Sequence, residues 1–524
     1  MLKRLIVHVT NYSAGSLLVT LASIVSFPIL TRLLSVDEYG VMNLIATALS
    51  LLVGIAKLGV QHSAVRFYSE VRTGKRPGVD MDGYAATVVY GMGALGLIAT
   101  LLWAAASQLV PDAFWNDERL KPLMLLTACL VFVRVVDSAF INQLRAEERS
   151  RQITVYSVIR RYAGLALLLF VLFFVARNLW GFYVATIVGE ALATLGLVAW
   201  MWKRLQPRPR DFDAPLFKAM LAFGIPMIGY ELASIVLSMG DRYVIQAMMG
   251  AEPLGYYSAA YNLCDYVRAI FLASFGAAVL PMYVRLWEEK GRDETAAFLR
   301  RFMHVYVMVA MLVVAGLSAV GPELIALLAS DKYRAGAQVV PYVIGGMALD
   351  GLVMVAGAGL YIEKRTRTAA LLVMGTAVLN IALNVVLIPS WGLVGAALAT
   401  LVAYAVLLGL SMWAGRRCLA VSLPPLSLLK FGGIALLMYA ALMRIAVSGD
   451  FATLVLRMAA GALIYVSLTL AVDAPARQLV VQGWQRLRYE ITEDAPPGCD
   501  GVRYSYTPSL GFFSAVMSAS GEVM

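Results

Sequence analysis

Apolar stretches long enough to span a bilayer recur, separated by short polar connections, from residue 10 to residue 474. A helix needs about 20 such residues to cross the hydrocarbon layer. The stretches fall near residues 10–34, 41–62, 83–108, 122–144, 153–176, 180–202, 219–248, 255–284, 302–328, 338–362, 368–389, 391–415, 426–447 and 452–474. The expected fold is therefore an all-α polytopic membrane protein of about fourteen transmembrane helices. Composition agrees: 60% of the 524 residues are hydrophobic and only 15% are charged, with a mean hydropathy of +0.75. Soluble domains carry about 25% charged residues. The first stretch follows Lys3 and Arg4, but it is too long for a signal-peptide core and no small-residue cleavage site follows it. It reads as the first span.

A formal net charge of +10 would suit a nucleic-acid partner only if the basic residues clustered on a soluble face. Here they follow the connections. On alternate sides of the spans lie 31 of the 43 Lys and Arg residues, among them Lys3, Arg66, Arg145, Arg160, Arg161, Lys203, Arg285, Lys364, Arg416 and Arg477. The opposite side holds 9, including Arg32, Arg119, Arg242 and Lys332. Short cytoplasmic loops are enriched in Lys and Arg, so both termini are expected in the cytoplasm. No nucleic-acid partner is expected.

The four cysteines, Cys129, Cys264, Cys418 and Cys499, are far apart and form no CxxC, and His8, His62 and His304 are scattered. Neither a disulfide framework, a metal centre, a cofactor nor a catalytic constellation is indicated.

The halves of the chain repeat. LASIV occurs at Leu21–Val25 and again at Leu232–Val236, and after a four-residue shift DEYGVMNLIATA aligns with EPLGYYSAAYNL, setting Gly40 opposite Gly255. Each copy opens a block of about six spans, an even number that leaves the copies parallel in the membrane. The expected division is an N-terminal lobe over residues 1–205, a C-terminal lobe over 206–418, two further spans over 419–474 and a cytoplasmic tail over 475–524. The segment from Lys203 to Lys218, rich in proline and charge, serves as the hinge. In the tail, Val480, Trp484, Leu487 and Ile491 share one face of a short interfacial helix, and from Asp494 onward no periodicity remains, so disorder is expected.

Charged groups inside spans are costly and must face protein or water. The second span carries Asn43, Thr47, Ser50, Gly54, Lys57 and Gln61 at spacings of three and four, which makes one wet face. The alternative is a small-residue packing face with a snorkelling lysine. Arg134 with Asp137, and Asp265 with Arg268, are spaced to pair within their own helices; substrate contact is the other reading. Glu190, Glu231, Asp241 and Asp350 are available for cross-helix pairing or cation binding, although Asp241 with Arg242 reads more simply as a helix end. Pro28, Pro226 and Pro281 are candidate bends.

The segments FPILTRLLSVDEYGVMNLIATA, LGVQHSAVRFYSE, FGIPMIG, DRYVI, GAEPLGYYSAAYNL and LNIALNVVLIPSWGLVGAALAT resemble the polysaccharide-transporter family, the O-antigen and exopolysaccharide flippases of the MOP superfamily, over about Asn11 to Arg417. The resemblance implies two six-helix lobes around a V-shaped cavity, two extra C-terminal helices and alternating access. It implies as cargo an undecaprenyl-pyrophosphate-linked oligosaccharide, flipped across a bacterial inner membrane and contacted by Lys57, Arg134, Arg268, Asn43 and Gln61. By analogy with the related multidrug antiporters, a sodium ion or proton would be held by Glu231 and Asp350 with Asn380 and Asn384 as neutral oxygen donors. Partners would be membrane lipids and other polysaccharide-assembly proteins. A drug antiporter and, less so, a polytopic glycan polymerase or ligase stay open; the lack of an Asp before Asp37 and the short external loops weigh against them.

Overall fold

The computed structural model describes residues 2–76, 78–109, 117–421, 423–478 and 481, and no side chain is described before Gly15. Apart from residues 475–478 and 481, the expected interfacial helix and tail lie outside the described residues, as does Cys499, and the side chains of His8 and Pro281 are not described.

Met1–Leu423 forms one compact unit and Pro424–Met524 a second. Among the described residues of the first unit, helix α1 covers Leu2–Leu33, α2 Val36–Ala56, α3 Val60–Arg72, α4 Met81–Leu109, α5 Leu120–Ala146, α6 Ser150–Phe174 and α7 Leu179–Leu205. Then follow α8 (Ala214–Met239), α9 (Asp241–Met249), α10 (Ala251–Phe271), α11 (Ala273–Lys290), α12 (Arg292–Leu328), α13 (Val340–Ala356), α14 (Ala358–Ile362) and α15 (Thr366–Gly415). In the second unit, α16 (Pro425–Leu442) and α17 (Asp450–Val472) pack on each other, Gly461 lying 3.1 Å from Leu442 at its would-be Cβ, while buried Arg457 donates to the Ile445 carbonyl at 3.0 Å.

Local chemistry sets the ends. Ser35 and Glu38 form a reciprocal capping box that starts α2, the Ser35 N–H donating to Glu38 at 3.0 Å and the Glu38 N–H to Ser35 Oγ at 3.3 Å. Asn178 and Asp213 cap α7 and α8 through the N–H groups of Gly181 and Leu216.

Among the described residues, twelve helical segments are long and apolar enough to cross a membrane. One of them, Thr366–Gly415, has 50 residues and would run about 75 Å if straight, far beyond a 30 Å hydrocarbon layer. It reverses at Gly392 (φ 55°, ψ −135°), so that Asn380 donates to Thr400 at 3.2 Å. It is two crossings. The pair α10 and α11, Ala251–Lys290, supplies another, which brings the total to about fourteen.

Two expectations need correction. The second span is not one helix from 41 to 62: α2 stops at Ala56, Leu58 (φ 44°) and Gly59 (φ 74°) turn left-handed, and α3 begins at Val60. Arg160 and Arg161 do not sit in a cytoplasmic connection, because α6 begins at Ser150 and places them about 15 Å along the helix.

Candidate functional site

The break in α2 isolates the residue that the sequence singled out. Lys57 is the C-cap of α2, half-buried, and among the described residues it has no ion-pair partner. A left-handed leucine beside it costs about 1 kcal/mol, held by the packing of Gly59. The rest of the expected polar stripe divides. Asn43 and Thr47 are buried, Asn43 accepting from Asn262 at 3.1 Å, and Gly54 packs on Leu232 and Ile235. That upper part is a packing face. Gln61 lies on α3 and donates to Glu231 at 2.8 Å.

Helix α2 and its continuation α3 are held against the second half of the chain at both ends. At one end Gly40 meets α10: a Cβ on Gly40 would lie 2.1 Å from the Ala251 carbonyl oxygen, and one on Gly255 would lie 2.0 Å from that of Val36. Around this contact Arg32 donates to the carbonyls of Leu328 at 2.9 Å and Leu327 at 2.5 Å, and Lys332 to that of Leu34 at 2.7 Å. At the other end Gly59 meets Gly224 of α8, where a Cβ on Gly59 would lie 2.1 Å from the Gly224 carbonyl oxygen. Beside it His62 lies 3.1 Å from Glu231, and Arg66 stacks on Phe223 at 4.5 Å. Gly40 and Gly59 are separated along the chain by about 28 Å of helical rise, close to the thickness of the hydrocarbon layer. The first and second halves of the chain are therefore in contact near both ends of the α2–α3 segment.

Arg268 pairs with Asp265 at 2.7 Å within its own helix, as the spacing indicates, and reaches Asp350 at 3.8 Å. Arg134 does not pair with Asp137. It clamps Glu190 of α7 with Nε at 2.9 Å and Nη2 at 2.8 Å. Asp137 is taken by Tyr156 and Arg160, and Arg160 also reaches Glu190 at 3.1 Å. The pattern of basic connections counts Arg160 as cytoplasmic although the expected span over 153–176 already contains it, and α6 confirms its place inside the helix.

The expected cation donors separate into three groups. Glu231 is bound to Gln61 and His62, and Asp350 faces Arg268. Asn380 and Asn384 are fully buried and adjacent to a different carboxylate, Asp241. Asn384 donates to Asn380 Oδ1 at 3.2 Å, Asn380 to Thr400, and the Thr400 hydroxyl lies 3.5 Å from Asp241 Oδ2, which also accepts from Tyr257. Asp241 does open a helix, but it is completely buried, and its Oδ1 and Asn384 Oδ1 are buried with no hydrogen-bond partner among the described residues. Leaving such oxygens bare costs about 1–3 kcal/mol each. Among the described residues no cluster of three His, Cys, Asp or Glu exists. Four oxygen-bearing side chains suit a hard monovalent cation or a proton.

A family profile described as polysaccharide biosynthesis protein matches residues 29–338. The chain belongs to this family. A second profile, for a protein of unknown function, matches residues 471–524. Among curated relatives, an uncharacterized membrane protein of Methanocaldococcus jannaschii is 25% identical over 209 residues, covering 38% of this chain and 40% of the relative. A probable low-salt glycan biosynthesis flippase of Haloferax volcanii, Agl15, is 22% identical over 188 residues, covering 34% and 39%. The chain thus spans about two fifths of the length of the curated relatives it matches. Of solved structures, the lipid II flippase MurJ in an inward closed conformation superposes with a TM-score of 0.71 at 14% identity, covering 89% of this chain and 98% of MurJ. An inward-facing multidrug resistance MATE transporter of the MOP superfamily gives 0.61 at 15% identity, covering 76% and 97%. At such identities the likeness is one of fold, and this polysaccharide biosynthesis protein has the fold of the MOP superfamily.

Proposed function

We propose that this protein flips an undecaprenyl-pyrophosphate-linked oligosaccharide across a bacterial inner membrane by alternating access, with both termini cytoplasmic. The observation that carries the reading is Lys57: a half-buried cation without a partner, set in a break between α2 and α3, on the face that meets the other half of the chain. An unpaired charge at that depth is expensive unless it serves an anion or water. Arg268 is the second contact, and a diphosphate reaching it replaces one of its two carboxylates. Gln61 belongs to the closure beside Lys57, while Asn43 supports α2 from behind.

A lobe division at residue 206 would fit this motion, since the glycine contacts each join residues from opposite sides of that position. Opening one closure while keeping the other exposes Lys57 to one side at a time. Asp241, Asn380, Asn384 and Thr400 would hold the coupling cation or proton, their bare buried oxygens fitting it better than Glu231 and Asp350 do. Such a cation would neutralise the buried carboxylate and draw α9 toward α15.

Complementation tests the function. In cells lacking the gene, wild-type protein restores surface polysaccharide, and Lys57→Ala does not at matched protein level. Cationic-dye efflux without polysaccharide output would favour the drug antiporter, and chemical conversion of a bound lipid-linked glycan would favour a polymerase or ligase.

A further inference from the structure

The nine-residue helix α9 opens with two opposite charges, Asp241 and Arg242, both buried. Their side chains serve different neighbours, for α9 packs on both α15 and α2. The Asp241 carboxylate meets Thr400 of α15 and accepts from Tyr257 of α10. The Arg242 guanidinium reaches the first half of the chain instead, where its Nη1 donates to Thr47 Oγ1 of α2 at a long 3.5 Å, and it lies over the Tyr261 ring at 4.7 Å. Thr47 is able to accept because its own hydroxyl proton goes to the Asn43 carbonyl at 2.9 Å. Arg242 is 3% exposed, its Nε is buried with no hydrogen-bond partner, and among the described residues it forms no ion pair.

A buried guanidinium with so few partners is costly, and a pure brace would be completed by a carboxylate in contact with it. Here the counter-charge sits on the preceding residue and is turned to α15. Two charges on consecutive residues of one short helix move together, so whatever displaces the carboxylate displaces the guanidinium, and a cation at Asp241 also repels it. We propose that Arg242 is the positioning residue that couples the cation site to the substrate helix. A cation held by Asp241, Asn380, Asn384 and Thr400 draws α9 toward α15 and withdraws Arg242 from Thr47, so that cation occupancy loosens α2, the helix capped by Lys57. This rests on the cation reading given above and adds the residue that carries its effect into the other half of the chain. Coupling is reciprocal. Weakening the contact between Arg242 and Thr47 therefore tightens cation binding, although Thr47 belongs to the first half and is not one of the cation ligands.

The experiment reads both ends of the link in the purified full chain in neutral detergent. Calorimetric titration with sodium chloride, against choline chloride, gives cation affinity, and labelling of a Ser50→Cys background by a membrane-impermeant maleimide, with and without sodium, gives the state of α2. With Arg242 and Thr47 intact, sodium should speed labelling by about fivefold or more, the lower end of typical couplings. Arg242→Gln should bind sodium more tightly yet label at the same rate with and without it, and Arg242→Lys, which keeps the charge and an N–H donor, should retain part of the response. Thr47→Val, similar in shape but without the acceptor, should tighten sodium binding by about twofold, the worth of a weak hydrogen bond, and blunt the response; it decides the matter even where Arg242→Gln folds poorly. Sodium affinity unchanged or weakened in both Arg242→Gln and Thr47→Val, or a labelling response as large as in the parent in both, overturns the inference and leaves the cation site standing. Failure of sodium to bind the parent, or undiminished binding by Asp241→Asn, overturns the cation reading and this inference with it.

Discussion

Gly40 and Gly255 occupy each other's space: each sits on the carbonyl four residues before the other, Gly40 against Ala251 and Gly255 against Val36. The same offset of 215 residues relates both pairs, so the contact is reciprocal about a local two-fold axis, as in an isologous interface. A methyl group on either glycine would come within about 2.1 Å of a carbonyl oxygen. Overpacking of that kind costs about 1–3 kcal/mol, all of it charged to the closed state. Gly40→Ala or Gly255→Ala should therefore leave this face open more often, by roughly tenfold. Labelling by a membrane-impermeant thiol reagent of a cysteine placed at Ser50 measures it; unchanged labelling would mean that the contact is not a gate.

The opposite closure has a different chemistry. Glu231 ties α8 to α3 through Gln61 and His62, both contacts partly solvent-exposed. Exposed pairs contribute about 0.2–1 kcal/mol, so Glu231→Gln should loosen this face mildly, and Gly224→Ala, whose Cβ would lie 2.6 Å from Gly59, should loosen it much more. Reactivity of a Cys introduced at Lys57 towards a membrane-impermeant thiol reagent reports the difference and should rise more in Gly224→Ala than in Glu231→Gln; equal labelling in both would contradict it.

Much of the fold is legible in the sequence because lipid leaves few options: a backbone in hydrocarbon must bond to itself, so each apolar run of about 20 residues is a helix. The Gly40–Gly255 alignment is legible for the related reason that a repeated motif builds a repeated surface. Ion pairing is not. Arg134 and Glu190 are 56 residues apart and Asp241 and Thr400 are 159 apart, and spacing rules see only neighbours on one helix. The i, i+3 rule therefore finds Asp265–Arg268 and misassigns Arg134–Asp137. Asp241 is read as a helix end, which it is, but its burial depends on α15 folding back at Gly392. Two asparagines and a threonine in otherwise apolar runs are the signal that points to it.

Cation binding separates the two candidate sets. Asp241→Asn and Asn384→Leu should abolish stabilisation of the purified protein by the coupling cation, whereas Glu231→Gln should retain it. Thermal unfolding in sodium against potassium or choline, repeated across pH, is the measurement. A cation saturating at a hundred times its Kd adds about 2.7 kcal/mol, a readily detected shift. Loss of the effect in Glu231→Gln alone would return the site to Glu231 and Asp350.

The central claim is that Lys57 and Arg268 hold the diphosphate while the chain crosses. Proteoliposomes containing the purified protein and a fluorescent undecaprenyl-pyrophosphate-linked oligosaccharide allow translocation to be read by quenching from outside. An inside-negative potential should speed outward movement of the anionic head, by about 2.3 kcal/mol per charge per 100 mV. Wild type should flip the lipid, Lys57→Ala and Arg268→Ala should each slow it by about tenfold or more with thermal stability unchanged, and Lys57→Arg should be milder than Lys57→Ala because it keeps the charge. Normal flipping by both alanine variants would contradict the account and leave Lys57 and Arg268 as structural residues.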